Sequence, residues 1–274
     1  MRGGSTSAPF FNNMRIILER QLTIDSQLYP AGAVVNIVDV STANDLIARG
    51  LAFDDKVFNP AAKSTLGLVS CIMPTRDRRK WIPRALECWQ AQTYSPLQLV
   101  VLDNGADPIK DLLPADPRII YTRAGQGMKL GMLRNLACQL ATGEFIAHWD
   151  DDDWYSPDRI EKQVHTIGGA AMCVPSGCHF ASELKAYKLD ADPMYGIGSG
   201  LIYRREYWTR SRFAPVAHCG EDSMFIQQCR DKVHIDGYGL MVASVHEAHT
   251  AQRVLSRKCS LSELPKGYKW PSGM

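Results

Sequence analysis

Apolar residues in this chain gather into short unbroken runs, and between those runs the spacing changes to that of amphipathic helices. Residues 66–73 (LGLVSCIM) and 97–102 (LQLVVL) read as strands buried on both faces. Residues 119–121 (IIY) and 145–147 (FIA) repeat the pattern over shorter lengths. Between them, Ile82, Ala85, Leu86 and Trp89 form one stripe on a helix with Pro83 near its start, and Leu133, Leu136, Ala137 and Leu140 line another over 130–141. Ser156 and Pro157 open a third helix as N-cap and first position, with Ile160, Val164 and Ile167 on one face. Strand and helix alternate, which predicts an α/β domain with a mostly parallel sheet and right-handed crossovers. The second half is less regular. Strands are expected at 172–174, 199–203, 233–235 and 240–245, with a short helix over 222–229 behind Gly220 and Glu221.

Segment composition divides the chain. Residues 1–13 are small and polar and read as a flexible lead. Residues 14–60 form a small β-β-α module: strands at 15–18 and 34–38, then a helix opened by Ser41 and closed by Gly50. So short a unit rarely folds unaided, which predicts that it packs on another body. It resembles small modules in proteins of tailed bacteriophages. The main domain runs over 65–255, and 256–274, basic and aromatic, reads as a flexible tail.

The chemistry concentrates after the fourth strand. Asp150, Asp151, Asp152 and Asp153 follow one another directly, and carboxylates so close raise one another's pKa unless a cation neutralises them. Oxygen ligands suit magnesium or manganese, ions that keep part of their shell for substrate phosphates. Trp149, Trp154 and Tyr155 bracket the acids, unlike the surroundings of a solvated acidic tail. An EF-hand is excluded, because its alternating ligands, central Gly and terminal Glu are missing.

Charge and composition add exclusions. With 31 Lys and Arg against 29 Asp and Glu, the formal net charge is +2, which indicates no bulk nucleic-acid binding. There is no apolar run of membrane-spanning length and no signal-peptide pattern. The eight cysteines lack paired CxxC spacing and read as reduced core residues, so a cytoplasmic setting is expected, in a bacterium or a phage-infected cell.

Taken in order, CIMPTRDR, LVVLDNGAD, LGMLRN, GEFIAHWDDDDWYSPDR and CGED resemble family 2 glycosyltransferases of the GT-A fold, across roughly 66–249. The resemblance implies a Rossmann-like sheet flanked by helices and a metal-dependent, inverting transfer of sugar from a nucleotide-diphosphate donor, a UDP-sugar foremost. It implies donor contacts from Pro74, Thr75 and Arg76 at the first strand end. Asp103 and Asn104 follow at the second, where the family usually has two acids, so Asn104 leaves the base open. Arg134, with Lys129 as a weaker partner, would serve the diphosphate. Asp150 and Asp152 would be the outer members of the D-x-D motif and hold Mn2+ or Mg2+, with His246 or His249 completing the site; Asp151 would lie near ribose or sugar. Asp153 would instead cap the following turn. Gly200, within a small-residue loop, would approach the donor sugar. Asp222 would be the general base, with Glu221 as the less favoured acid. The acceptor is left open among glycan, protein and modified DNA base. Two rival readings are a nucleotidyltransferase, which lacks its Gly-rich phosphate loop here, and a non-catalytic nucleotide-sugar-binding protein.

Overall fold

The computed structural model describes residues 67–214, 220–246 and 257–271 in full, together with the backbone of 14–18, 22–24, 27–29, 34–37, 52–54 and 65–66. The chain divides into two compact units, Met1–Asn59 and Pro60–Met274. In the first, β1 (Met14–Leu18) pairs antiparallel with β4 (Val34–Ile37), the two strands expected. Three further strands were not expected there: β2 (Leu22–Ile24) and β3 (Gln27–Tyr29) pair with each other, and β5 (Ala52–Asp54) takes the free edge of β1. Three-residue strands are too short to register as a period in sequence. The expected helix over 41–50 lies outside the described residues.

The second unit is built on a seven-stranded sheet. Its first parallel strands are β6 (Thr65–Thr75), β7 (Leu97–Asp103), β8 (Ile119–Arg123) and β9 (Gly143–His148). The helices between them are α1 (Ile82–Gln90) and α2 (Leu130–Leu140). Val69, Cys71 and Met73 share one core with Leu99, Val101 and the α1 stripe Ile82, Ala85, Leu86 and Trp89. Alternation along each strand turns Ile72, Val100 and Leu102 to the other face, where α2 packs. Beyond β9 the sheet continues through β14 (Ile202–Arg204), β11 (Met172–Pro175) and β15 (Lys232–Ile235). Of these, β14 runs antiparallel to both neighbours, so the sheet is mostly parallel.

A second, five-stranded sheet was not foreseen. It has the order β10 (Trp154–Tyr155), β16 (Met241–Ser244), β12 (Gly177–Ala181), β13 (Ala186–Asp190) and β17 (Arg257–Cys259). The last strand corrects the flexible tail expected from residue 256. β17 pairs antiparallel with β13, Ser260 and Glu263 form a reciprocal capping box, and Tyr268 and Trp270 set their rings edge-on against Trp154 and Trp81. Basic composition hid this, because strand pairing and edge-on aromatic contacts depend on partners distant in sequence.

Three more helices complete the unit: α3 (Arg159–Ile167), α4 (Arg205–Arg210) and α5 (Glu221–Gln228). α3 starts two residues beyond the expected Pro157, because Ser156 spends its hydroxyl on the Asp158 carboxylate rather than on a helix N–H. The cysteines among the described residues are free, and burial pushes the Cys71, Cys138 and Cys173 thiols up to about 12. No helix among the described residues is long and apolar enough to cross a membrane.

Candidate functional site

The carboxyl ends of β6, β7 and β9 open into one cleft of about 1010 Å³. It is lined by Pro74, Thr75, Arg76, Asn104, Arg134, Asp150, Asp151 and Asp152 on one side and by Gly198, Ser199, Glu221 and Asp222 on the other. Strand carbonyl ends are where open α/β sheets bind ligands, because the loops diverge there while the sheet holds their roots.

The acids do not stand free. Asp151, 2% exposed, accepts from Thr75 Oγ1 at 2.6 Å and from Arg78 Nη1 at 2.9 Å. Burial and the neighbouring Asp152 charge push its pKa up to about 7, against the pull of Arg78 and Thr75. Asp152 Oδ2 lies 2.5 Å from the same Arg78 nitrogen and 2.9 Å from His246 Nε2. Its backbone carbonyl takes the guanidinium of Arg84. Burial works against the Arg78 charge, yet Asp151, Asp152 and Asp150 outweigh it and hold the guanidinium firmly protonated. Asp153, expected to cap a turn, is buried and faces β16. Its Oδ1 accepts from Ser244 N at 3.1 Å and ties the acid loop to β16.

Arg134 reaches across the cleft floor. Nε donates to Glu221 Oε1 at 2.9 Å and Nη2 to Asp150 Oδ1 at 3.3 Å, while Nη1 is buried without a hydrogen-bond partner. The G-x-x-R-N segment explains how it gets there. Gly131 has the Ala214 carbonyl where a Cβ would stand, so the chain leaving α4 can lie directly on α2. Asn135 then pins that chain, donating to Phe213 O at 3.0 Å and accepting from Phe213 N and Trp208 Nε1. Glu221 and Asp222 occupy the first turn of α5, where the helix dipole favours negative charge. Burial raises the Glu221 pKa, Arg134 pulls it back and Asp222 adds to the rise. Asp222 lies against Gly198, whose missing side chain leaves the room its carboxylate fills.

Asn104, 2% exposed, donates Nδ2 to Met128 O at 3.3 Å, which turns Oδ1 away from that carbonyl, and Oδ1 has no partner. Asp103 departs from the expected donor contact. Fully buried, it accepts from Gly105 N, Ile109 N and Tyr121 Oη and pairs with Arg123, so it organises the loop beneath the cleft. Lys129 and Gly200 also do not line the cleft: Lys129 precedes α2 in extended backbone, and Gly200 is packed against Pro175 and Met241. Arg76 stands exposed at the rim. His249 lies outside the described residues.

Arg78 is the site residue that sequence reading passed over. Three arginines stand between positions 76 and 79, and nothing in their spacing selects one. The selection comes from Asp77, whose φ of 55° turns the chain and whose carboxylate takes the N–H groups of Ala106 and Asp107.

As a metal site, Asp152 Oδ2 and His246 Nε2 supply a hard oxygen and an imidazole nitrogen 2.9 Å apart. No group of three or more His, Cys, Asp or Glu side chains among the described residues converges on one metal position. A carboxylate oxygen and an imidazole nitrogen are donor types that Mn2+ accepts, and the carboxylate suits Mg2+ as well.

Residues 70–214 match the family model described as Glycosyl transferase family 2. An uncharacterized glycosyltransferase of Haemophilus influenzae is 25% identical over 187 residues, covering 61% of this chain and 73% of that protein. EpsH of Bacillus subtilis is 29% identical over 123 residues, 43% of this chain and 35% of its own length. In fold, the chain is similar to S. aureus TarS 1-349 in complex with UDP-GlcNAc, with a TM-score of 0.57, 18% identity and coverage of 66% of this chain and 60% of that one. It is also similar to the mannosyltransferase PcManGT from Pyrobaculum calidifontis in complex with GDP-Man and Mn2+, with a TM-score of 0.52, 16% identity and coverage of 70% and 60%. The chain thus spans about a third of EpsH and 60% of the TarS and PcManGT chains.

Proposed function

The chain belongs to glycosyl transferase family 2 and has the GT-A fold, and from that premise we propose that it transfers a sugar, with inversion, from a UDP-sugar to an acceptor hydroxyl. The observation that carries this reading is the opposition, across one cleft, of the acid and arginine cluster at the strand ends and Asp222 on α5. Pro74, Thr75 and Asn104 are the nucleoside side. The bare Oδ1 of Asn104 is a single buried acceptor. It matches the single ring N–H of uracil better than the adjacent N–H and NH2 donors of guanine, and it retains the accepting role of the acid usual at this position. An unmatched buried acceptor is costly, so the base that satisfies it is favoured.

Arg134 meets the diphosphate with its unpartnered Nη1. Asp152, His246 and Asp150 would hold Mn2+ or Mg2+, which when bound supplies Lewis acidity toward the departing diphosphate. Arg78 neutralises Asp151 and Asp152 in the protein alone. In the transfer, Asp222 takes the acceptor's hydroxyl proton as its oxygen bonds to the anomeric carbon, and the bond from that carbon to the phosphate oxygen breaks on the opposite side. Glu221 is a structural partner of Arg134 in this scheme.

The test is a thermal-shift panel of nucleotide sugars with and without manganese, followed by product analysis. A bound donor raises the melting temperature according to its concentration relative to Kd. UDP release and an inverted anomeric centre are expected. Pyrophosphate release, or a shift with no UDP-sugar, would refute the proposal.

A further inference from the structure

Three consecutive carbonyls in this molecule are each gripped by a different side chain. Gly198 O accepts from His148 Nδ1 at 2.7 Å, Ser199 O from Tyr155 Oη at 3.2 Å, and Gly200 O from Gln163 Nε2 at 2.7 Å. The grip comes from the acid strand and the two elements after it in the chain: His148 ends β9, Tyr155 lies in β10 and Gln163 on α3. Since a carbonyl only accepts, His148 carries its proton on Nδ1. Arg159 sets the other two partners in place. Its Nε donates to Gln163 Oε1 at 2.9 Å, which turns Nε2 toward Gly200, and its Nη2 donates to the His148 carbonyl at 3.0 Å. Tyr155 is shared with the acids, because its Oη also accepts from Asp150 N at 2.9 Å. All four side chains are buried.

The gripped segment needs such support. Two of its three residues are glycine, so its backbone has little conformational preference of its own. Neither glycine can be exchanged: a Cβ at 198 would fall on the Asp222 carboxylate and one at 200 on Pro175 and Met241. The turn is therefore the floor under Asp222, and within it only two backbone bonds of 3.2 Å, Gly200 N to Ile197 O and Leu201 N to Gly198 O, act beside the side-chain grip.

We propose that His148, Tyr155 and Gln163 are positioning residues for transfer: by holding the carbonyls of Gly198, Ser199 and Gly200 in order, they keep the Asp222 carboxylate in register with the acids of the β9 end. The proposal rests on the reading of Asp222 as base. Side chains remote from the reacting atoms can act this way, since a misplacement of about 1 Å costs roughly 100-fold in rate.

The experiment uses the full chain and the variants Tyr155→Phe, His148→Phe, His148→Asn, Gln163→Met and Asp222→Asn. Three quantities are read: UDP affinity by calorimetry, kcat for hydrolysis of the UDP-sugar that the thermal-shift panel selects, and amide exchange of the peptide spanning 197–203. Tyr155→Phe and His148→Phe should each lower kcat roughly 10- to 100-fold and speed exchange in that peptide, with UDP affinity held within about twofold. Asn places an amide donor where Nδ1 stood, so His148→Asn should recover most of the lost rate. Parent-like exchange and kcat in Tyr155→Phe and His148→Phe overturn the proposal. So does a loss of UDP affinity and melting temperature in step with the rate, which a plain packing role would give. If Asp222→Asn hydrolyses at the parent rate, the base assignment fails and the positioning of Asp222 falls with it; if Asp222→Asn loses the rate while Tyr155→Phe and His148→Phe keep it, the positioning role alone fails.

Discussion

Replacing Arg134 with methionine probes the centre of the site, where one guanidinium meets both Glu221 and Asp150. In the parent, Arg134 and Glu221 are 3% and 2% exposed at the side chain and 2.9 Å apart. Methionine keeps much of the volume and leaves Glu221 as a buried carboxylate with no cation. Removing one partner of a buried pair typically costs about 3–5 kcal/mol. For a domain of this size roughly 2–4 °C of Tm follows each kcal/mol, so a drop of roughly 6–20 °C is expected at pH 8. Asp150 also loses its contact, but its side chain is 29% exposed and water can serve it.

The pH dependence carries the sharper test. The Glu221 pKa already lies above its ordinary value through burial, and Arg134 is what pulls it back. In Arg134→Met it rises further in the folded protein and not in the unfolded chain. A folded-state pKa raised above the unfolded one contributes stability below the ordinary glutamate range and loses it as pH climbs through the folded value. The Tm deficit of Arg134→Met should therefore be small at pH 5 and large at pH 8, measured by circular dichroism in chelator. Arg134→Met combined with Glu221→Gln should recover more than half of the deficit at pH 8, because no buried charge is left. An equal deficit at both pH values, or a double variant no better than the single one, would refute the reasoning.

Three further outcomes are expected. Asp222→Asn should hold UDP and metal affinity within a few-fold while transfer falls by roughly 100-fold or more, measured as donor hydrolysis and then as transfer; Glu221→Gln should cost less. Asp152→Ala should abolish the manganese dependence of UDP binding in calorimetry, and a parent-like difference between metal and chelator would remove Asp152 from the ligand set. Asn104→Leu should weaken UDP binding by roughly 10-fold, the scale of one hydrogen bond to a buried acceptor, while Asn104→Asp should keep it.

Much of this protein is a direct consequence of local sequence. The runs at 66–73 and 97–102 became β6 and β7, because a strand buried on both faces is apolar at nearly every position. The α1 stripe faces the core as its spacing requires. The acid run, bracketed by Trp149, Trp154 and Tyr155, identified the strand end where charge would gather, and the order of motifs around it identified the family. Tertiary structure decided what those charges touch. Asp103 turned inward to organise a loop, Asp153 reached β16, and Arg78 rather than Arg76 closed on Asp151 and Asp152. The pairings of β12 with β16 and of β13 with β17, and the grip on Gly198–Gly200, join residues tens of positions apart. Hydrophobic period is a property of neighbours along the chain and can be read from them. Which buried polar group meets which partner depends on where distant segments bring their donors and acceptors, and that is fixed only when the chain has folded.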